Sequence, residues 1–351
     1  MKDQRLTHHS ADETETLDSS PVIELIEAFR RSKAMFAAVS LEVFDTLEDA
    51  PTNAETIAAV LQLPREPLER LLDACVGLKL LRKDKALYAN EAVASVYLCR
   101  RSERTLVGYI LYSNDVLFPL WDHLEDAVRE GTPRWEQEFG GEGGIFANFF
   151  RTQEARATFL RGMHGFGLLS SPKVVEAFDL SEFRRMADVG GGTGHLAIAA
   201  CARYPRLRAV VFDLPDVVEM TKVYLDKSRV LSERVSVTTG DFFHDQLPDA
   251  DLIALGRILH DWSDAKVRQL LTKAFESLPS GGAILIAEKL VDEEKTGPPS
   301  ALLQSLNMLV CTEGRERSLG EYRQLLEEAR FERVEGRVTG VYLDAVIARK
   351  P

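Results

Sequence analysis

Apolar residues recur along this chain with two different periods. Between residues 21 and 180 most of them return every three or four positions, as in Ile23, Ile26 and Phe29, and this spacing is typical of amphipathic helices. From residue 181 onward short apolar runs alternate with helical segments, the rhythm of a parallel α/β sheet. The chain is therefore predicted to be mainly helical in its first half and α/β in its second.

Residues 21–105 show a more specific order of elements. Helical spacing up to Pro51, and again in TNAETIAAVLQL and PREPLERLLDACVGLKLL, is followed by LLRKDKALYAN, whose central charges suit a hairpin turn. Helices followed by a hairpin are the order of a winged-helix module. The helix from Arg65 to Leu81 mixes acidic and basic residues and has no basic face. That mixture favours contact with another protein over DNA binding.

Residues 106–180 keep the helical spacing, with breaks at Gly131–Pro133 and Gly140–Gly144. Aromatic residues in helices usually belong to the core, but they could also form the wall of a pocket for a flat apolar ligand. The sequence leaves both readings open for this linker. The aromatic residues in question are Tyr109, Tyr112, Phe118, Trp121, Trp135, Phe139, Phe146, Phe149, Phe150, Phe159 and Phe166.

Residues 181–351 are predicted to form a Rossmann-like sheet of seven strands. Seven strands that end in a hairpin are one more than a dinucleotide-binding fold supplies. The strand count therefore favours a methyltransferase sheet. After a first strand at Met186, the predicted strands are Ala209–Phe212, Arg234–Thr239, Asp251–Leu255, Ala283–Ala287, and two late ones near Glu335–Thr339 and Tyr342–Ala348.

A glycine cluster, DVGGGTG, follows the first of these strands, and the second strand ends at Asp213. An acid about 20 residues beyond such a turn is placed to bind a ribose. A dinucleotide site needs GxGxxG, but His195 stands where the third glycine would be. Asp188, just before the cluster, disfavours a phosphate and suits an ammonium group. These features favour S-adenosylmethionine over NAD, with a turn that binds nothing as the plain alternative.

Composition narrows the class of protein. A net charge of −12 over 351 residues disfavours nucleic acid and anionic membranes as partners. No apolar run reaches the roughly 18 residues that span a bilayer, and the start has no signal-peptide core, so a cytoplasmic location is expected. Residues 1–20 are polar and acid-rich, which predicts a disordered tail. Four scattered cysteines indicate no disulfide framework.

The best candidate for chemistry is His260, in the segment RILHDWSD after the fourth strand of the sheet. An imidazole titrates near neutral pH and could take a proton from an acceptor hydroxyl. A carboxylate at its other ring nitrogen would fix the tautomer, and Glu288 and Glu316 are candidates. His260 could instead cap a helix or pair with Asp261. No metal is expected, because no cluster with ligand spacing accompanies this segment.

Several sequence motifs of this chain resemble those of a known enzyme family. DVGGGTG, VVFDLPDVV, GDFF, RILHDWSD, PSGGAILIAE, LNMLVCTEGRER and AVIARK are similar, in sequence and order, to those of the plant caffeate-type and animal acetylserotonin-type O-methyltransferases, the latter being nearer. The resemblance runs from about Val22 to the end. It implies methyl transfer to a small aromatic hydroxyl, a phenol, hydroxyindole or polyketide, and a homodimer formed through the N-terminal module.

The resemblance also assigns roles to residues. His260 matches the general base, and Glu288 and Glu316 match the two acids beside it. The residues matching contacts of S-adenosylmethionine are Gly190, Gly191, Gly192, Asp213, Gly240, Asp241, Phe242 and Arg257. The residues matching positions near the methyl acceptor are Asp261, Asn307, Met308 and Cys311. From the residues alone, Phe242 could equally belong to the core.

Two positions depart from the acetylserotonin-type pattern. Cys311 stands where that type has a substrate-recognising glutamine, and Phe150 where it has a cofactor-contacting tyrosine. A thiol is a weak donor beside an amide, so the resemblance does not carry N-acetylserotonin over as the acceptor. Two other functions are weighed against methyl transfer. A decarboxylase or hydroxylase descended from the family would be expected to lose His260, and a winged-helix metabolite sensor would need a basic recognition face.

Overall fold

A computed structural model describes residues 17–140, 150, 152–227 and 233–351. The predicted disordered tail falls almost wholly outside these residues, and a helix already begins at Ser20. The chain divides into two compact units, one up to Cys99 and one from Arg100. No helix of the described residues is both long and apolar enough to cross a bilayer.

The first unit contains the predicted helices and hairpin. Its strands β1 to β3 form a small antiparallel sheet in the order β1-β3-β2. Asn53 caps α3 by accepting a hydrogen bond from the backbone of Thr56 at 2.9 Å. The elements are α1 (Ser20–Ser40), α2 (Val43–Thr46), β1 (Thr52–Asn53), α3 (Ala54–Leu61), α4 (Arg65–Gly77), β2 (Leu81–Asp84), β3 (Leu87–Asn90) and α5 (Ala92–Tyr97).

The second unit opens with helices. These are α6 (Val107–Tyr112), a π-helical turn (Ser113–Leu117), α7 (Phe118–Trp121), α8 (Leu124–Glu130), α9 (Trp135–Phe139) and α10 (Gln153–Glu176). Gly131 ends α8 with a φ of 68°, so the first predicted break is present. The second begins at Gly140, and residues 141–144 lie outside the described part of the chain.

The predicted seven-stranded sheet is confirmed. Its order is β6-β5-β4-β7-β8-β10-β9, parallel except for β10, which runs antiparallel to β8 and β9. The chain order reverses at β4, so ligands are expected at the carboxyl ends of β4 and its neighbours. The strands are β4 (Arg185–Val189), β5 (Arg208–Asp213), β6 (Val235–Thr239), β7 (Leu252–Gly256), β8 (Ala283–Glu288), β9 (Glu332–Arg337) and β10 (Asp344–Arg349).

The bounds of the last two strands differ from the predicted positions by one to three residues. Thr339 belongs to the connecting turn, because its backbone N–H donates to the Asp344 carboxylate at 3.0 Å and its hydroxyl donates to the Leu343 carbonyl. An apolar pattern does not show such a turn, since the hydrogen bonds come from polar side chains.

Both faces of the sheet are covered, as a parallel sheet requires. Successive residues of one strand point to opposite sides, so Met186 and Ala187 enter two different core clusters. The covering helices are α11 (His195–Arg203), α12 (Pro215–Lys227), α13 (Asp264–Ser277) and the end of α10, together with α15 (Leu319–Glu328). Helix α14 (Pro299–Cys311) packs instead against α7 and α8.

Candidate active site

A cavity of about 1480 Å³ opens in the second unit. Sites for one small ligand usually hold roughly 300–1,000 Å³, so this cavity has room for two. It brings together the predicted cofactor and acceptor residues, but Glu288 and Glu316 do not line it. The predicted residues that do line it are Gly190, Gly191, Gly192, Asp213, Gly240, Asp241, Phe242, Arg257, His260, Asp261, Asn307, Met308 and Cys311.

The glycine loop lies between β4 and α11. Gly190 has a φ of 69°, and a Cβ there would lie 2.4 Å from the Ile258 side chain, so only glycine fits. The N–H of Gly192 donates to one oxygen of the Asp213 carboxylate at 2.8 Å, and the other oxygen accepts from Leu214 at 2.8 Å. Burial raises the pKa of Asp213 to about 6, against those two hydrogen bonds.

Asp188 does not face the ligand cavity, although its position just before the glycine cluster suggested this. Its side chain is only 1% exposed, it is not part of the cavity wall, and it accepts a hydrogen bond from the backbone of Ala197 at 3.1 Å. Burial raises its pKa to about 7. Asp188 therefore supports the start of α11 from below the loop, so the charge argument that used it against a phosphate does not hold.

The segment after β6 forms the next part of the wall. Asp241 accepts from the backbone of Phe243 at 2.8 Å, which shapes a tight turn. The ring of Phe242 packs edge-on against Phe243, with ring centroids 4.8 Å apart, and against the larger core cluster. Phe242 also lines the cavity, so the two readings of this residue, ligand contact and core, are both compatible with its position.

Arg257 follows β7 directly and has a φ of 56°. Its guanidinium lies 5.0 Å from the centroid of the Phe166 ring, a cation–π distance. Its Nε is buried and has no hydrogen-bond partner among the described residues. A buried donor without a partner is costly, so an anionic ligand would satisfy this atom.

His260 lies in a short 3₁₀ turn, Leu259–Asp261. Its Nδ1 is 2.7 Å from an oxygen of Glu316, whereas its Nε2 is 3.8 Å from Asp261. Burial lowers the pKa of His260, and the negative charges of Asp261 and Glu288 oppose this. The ring is therefore neutral, and donating Nδ1–H to Glu316 leaves the lone pair on Nε2.

The two acids beside His260 differ in what they touch. Glu316 bonds the ring, while one oxygen of Glu288 accepts from the backbone N–H groups of Ile258 and His260, each at 3.1 Å. The hydroxyl of Tyr322 donates to the other oxygen of Glu288. Burial pushes the pKa of Glu316 upward, but the N–H that His260 donates over 2.7 Å opposes this shift, and we assign Glu316 as a carboxylate on that hydrogen bond.

The motifs did not single out two residues that fasten this turn. Arg317 is fully buried and donates to the carbonyls of Leu259 and Trp262 at 2.9 and 3.0 Å. A Cβ on Gly314 would lie 2.1 Å from the carbonyl oxygen of His260. Both lie in the charged segment CTEGRERS. The sequence does not show that one of its arginines is buried.

The three ionisable groups around this turn also have the spacing of a metal site. Ligand atoms of His260, Glu288 and Glu316 lie within 4.8 Å of one another. The Glu288 oxygens already accept three hydrogen bonds, which leaves them poorly placed to bind a cation. The absence of a metal stays a prediction.

The residues of α14 that were predicted to lie near the acceptor are fixed by the helices that precede the sheet. The indole N–H of Trp121 donates to Oδ1 of Asn307 at 2.8 Å, and the Cys311 thiol lies 3.8 Å from the same oxygen. The indole N–H of Trp135 donates to the Cys311 carbonyl at 2.7 Å. Part of the aromatic set does line the cavity, namely Tyr109, Tyr112, Trp135, Phe150 and Phe159; Phe146 and Phe149 lie outside the described residues.

A glycine loop after the first strand, an acid ending the second and an antiparallel terminal pair define an S-adenosylmethionine-dependent methyltransferase. Comparison with known proteins specifies it further. Residues 121–332 match the model of the O-methyltransferase domain, and residues 23–100 match that of the O-methyltransferase dimerisation domain. The chain therefore belongs to the O-methyltransferase family.

Individual relatives agree with this assignment. Acetylserotonin O-methyltransferase of Bos taurus is 43% identical, with 93% of this chain and 96% of that protein covered. A human probable bifunctional dTTP/UTP pyrophosphatase/methyltransferase protein is also 43% identical over 96% of this chain, which spans only 55% of that relative. The crystal structure of human N-acetylserotonin methyltransferase with S-adenosylmethionine superimposes with a TM-score of 0.90 at 37% identity, covering 95% of this chain and 99% of that one.

Proposed function

We propose that this methyltransferase acts on a hydroxyl of a small aromatic acceptor, with His260 as general base. One observation carries the proposal: a neutral imidazole in the cavity wall whose rear nitrogen is 2.7 Å from the buried carboxylate of Glu316. A phenolic hydroxyl is a poor nucleophile while protonated. A base held near it contributes about two to four orders of magnitude in rate.

S-adenosylmethionine, when bound, supplies an electrophilic methyl group. We infer that Gly190, Gly191 and Gly192 lie along its methionine part, Asp213 accepts from the ribose hydroxyls, and Gly240 with Asp241 and Phe242 holds the adenine. The residues fit this use: bare backbone at a positive φ in Gly190, a strand-end carboxylate and an aromatic ring all line one cavity.

The proton leaves the acceptor hydroxyl for Nε2 of His260. Glu316 then stabilises the imidazolium through the Nδ1–H that it already accepts. Glu288 holds the backbone of the same turn, so we assign it to positioning the base. Asp261, beside Nε2 at 3.8 Å, adds negative charge that favours the protonated ring.

The acceptor is proposed to lie against α14 and the aromatic wall, with Met308 packed on its ring. An indole N–H can only donate, so Trp121 takes the Asn307 oxygen, and the amide NH₂ of Asn307 remains to donate to the acceptor. Cys311 turns its thiol toward that same oxygen and offers the acceptor no strong hydrogen bond. A phenol, hydroxyindole or polyketide aromatic fits this wall.

A panel of acceptors with labelled S-adenosylmethionine tests the assignment. Phenols, hydroxyindoles and hydroxylated polyketide aromatics are compared with their own methyl ethers, which present the same ring without the free hydroxyl. Label is expected on the hydroxyl compounds only. Transfer to aromatic amines or thiols alone, with none to any hydroxyl, would refute it.

We also propose a homodimer formed by the dimerisation domain. Helix α1 exposes apolar side chains on the isolated chain, and exposed apolar stripes mark contact sites. Light scattering is expected to give twice the chain mass, and a single-chain mass would contradict the proposal. The exposed residues are Val22, Ile23, Leu25, Ile26 and Phe29, each at least 49% exposed.

A further inference from the structure

His195, which stands where a dinucleotide motif has its third glycine, lines the cavity. His195 is the first residue of α11 and lines the wall beside the glycine loop. Its Nδ1 lies 2.8 Å from the hydroxyl of Ser171 on α10. Its Nε2 has no hydrogen-bond partner among the residues that the structure describes. The ring is thus fixed at one nitrogen and open to the cavity at the other.

Packing holds this ring in one orientation. A Cβ on Gly167 would lie 2.4 Å from three of its atoms, so Gly167 leaves the space that the imidazole fills. One residue earlier on α10, the ring of Phe166 lies 5.0 Å from the Arg257 guanidinium. Helix α10 therefore contacts both His195 and Arg257.

A second contact places the same two residues together. Gly256 and Leu196, their chain neighbours, approach closely, since a Cβ on Gly256 would lie 3.4 Å from the Leu196 side chain. The electrostatics agree: burial first, and then the positive charges of His164 and Arg257, together lower the pKa of His195 to about 3. His195 is a neutral imidazole beside a cation.

We assign the tautomer of His195 from its contact with Ser171. The Ser171 hydroxyl can donate to Nδ1, and the single proton of a neutral ring then lies on Nε2. That N–H and the partnerless Nε of Arg257 are both donors at one end of the cavity. A carboxylate suits this pair of donors because it offers two acceptor oxygens and a charge opposite to that of Arg257, whereas an ammonium group would be repelled.

We propose that Nε2–H of His195, together with Arg257, binds the carboxylate at the methionine end of S-adenosylmethionine. The inference rests on the placement of the cofactor along Gly190–Gly192 proposed above. Nothing in the resemblance assigns His195, which takes the place of the dinucleotide glycine and supplies a carboxylate contact at the start of α11.

The test compares S-adenosylmethionine with its decarboxylated form, which differ only in the carboxylate. Calorimetry without an acceptor measures both affinities in three proteins: wild type, His195→Leu, which fills similar space without a donor, and His195→Gln, which restores an N–H. His195→Leu is expected to weaken S-adenosylmethionine roughly tenfold, the usual worth of a hydrogen bond to a charged group. It should leave the decarboxylated form within about twofold, and His195→Gln should recover part of the loss.

Ser171→Ala is a second route, since it frees the ring and should give a smaller loss confined to the carboxylate compound. His123→Ala is the control: it alters a histidine that bonds Glu138 away from the cavity wall and should not distinguish the two compounds. Equal losses for both compounds in His195→Leu, or no loss for either, would overturn the inference. No acceptor is present, so failure of the acceptor panel leaves this result standing, whereas wild-type protein binding neither compound would refute the cofactor placement itself.

Discussion

The two sides of the cavity are built in different ways. The strand-end side is formed by residues that end a parallel strand or directly follow one, namely Gly190–Gly192, Asp213 and Gly240–Phe242. The helical side consists of Tyr112, Trp135, Asn307 and Cys311, which come from helices far apart in the chain. Backbone connectivity fixes the first side, while the second depends on how side chains pack. A substitution should therefore affect either cofactor affinity or acceptor use, and seldom both.

Asp213→Ala is expected to have the largest effect on the strand-end side. It removes the proposed ribose contact and the carboxylate that accepts from Gly192 at 2.8 Å. Two hydrogen bonds to a charged group correspond to about a hundredfold loss of S-adenosylhomocysteine affinity by calorimetry. Asp216→Ala, an exposed acid three residues on, should change nothing. An unchanged affinity in Asp213→Ala would mean that this side has been misassigned.

Glu316→Gln acts on the base between the two sides. The amide cannot stabilise an imidazolium at Nδ1 as the carboxylate does, so turnover should fall roughly ten- to a hundredfold. Cofactor affinity should stay within about twofold of wild type. Glu182→Gln, an exposed glutamate paired with Arg349, is the control. A larger effect on affinity than on turnover would assign Glu316 to folding rather than to His260.

Cys311→Gln probes the helical side alone. A glutamine restores an amide at the position where the acetylserotonin-type pattern has one, so acceptor preference should move toward substrates with an amide or carbonyl side chain. A change of about tenfold in relative kcat/KM is expected, since one neutral hydrogen bond contributes about 1 kcal/mol. If S-adenosylhomocysteine affinity moved by a similar factor, the two sides would not be separable.

Asp261→Asn gives the smallest effect, a shift in pH dependence. The negative charge of Asp261 raises the pKa of His260 against burial. Its removal lowers that pKa, so the base stays unprotonated to more acid pH. The acid limb of the kcat profile should therefore move to lower pH. A shift to higher pH would contradict the assignment of that limb to His260.

The sequence predicted the two sides unequally well. The glycine cluster, Asp213 and the order of strands follow from spacing, because chain connectivity places strand ends at one edge of a sheet. The different contacts of Glu288 and Glu316 could not be predicted. They depend on which carboxylate reaches the ring of His260 and which reaches the backbone.

The residues of the helical side were harder to predict, because their positions depend on contacts between side chains that are far apart in the sequence. Trp121 fixes Asn307 across 186 positions of sequence, and no periodicity encodes such a contact. The prediction for Asp188 was wrong. Its place in the motif suggested a charge facing the ligand, whereas its carboxylate is buried under the loop and accepts a hydrogen bond from the backbone of Ala197.

The most direct test of the central claim is the single-turnover rate of methyl transfer in His260→Ala, measured beside its affinity for S-adenosylhomocysteine. We expect affinity to stay within about twofold of wild type while the rate falls by about two to four orders of magnitude. A rate near that of wild type at unchanged affinity would contradict it, because the proton would then leave the acceptor without His260.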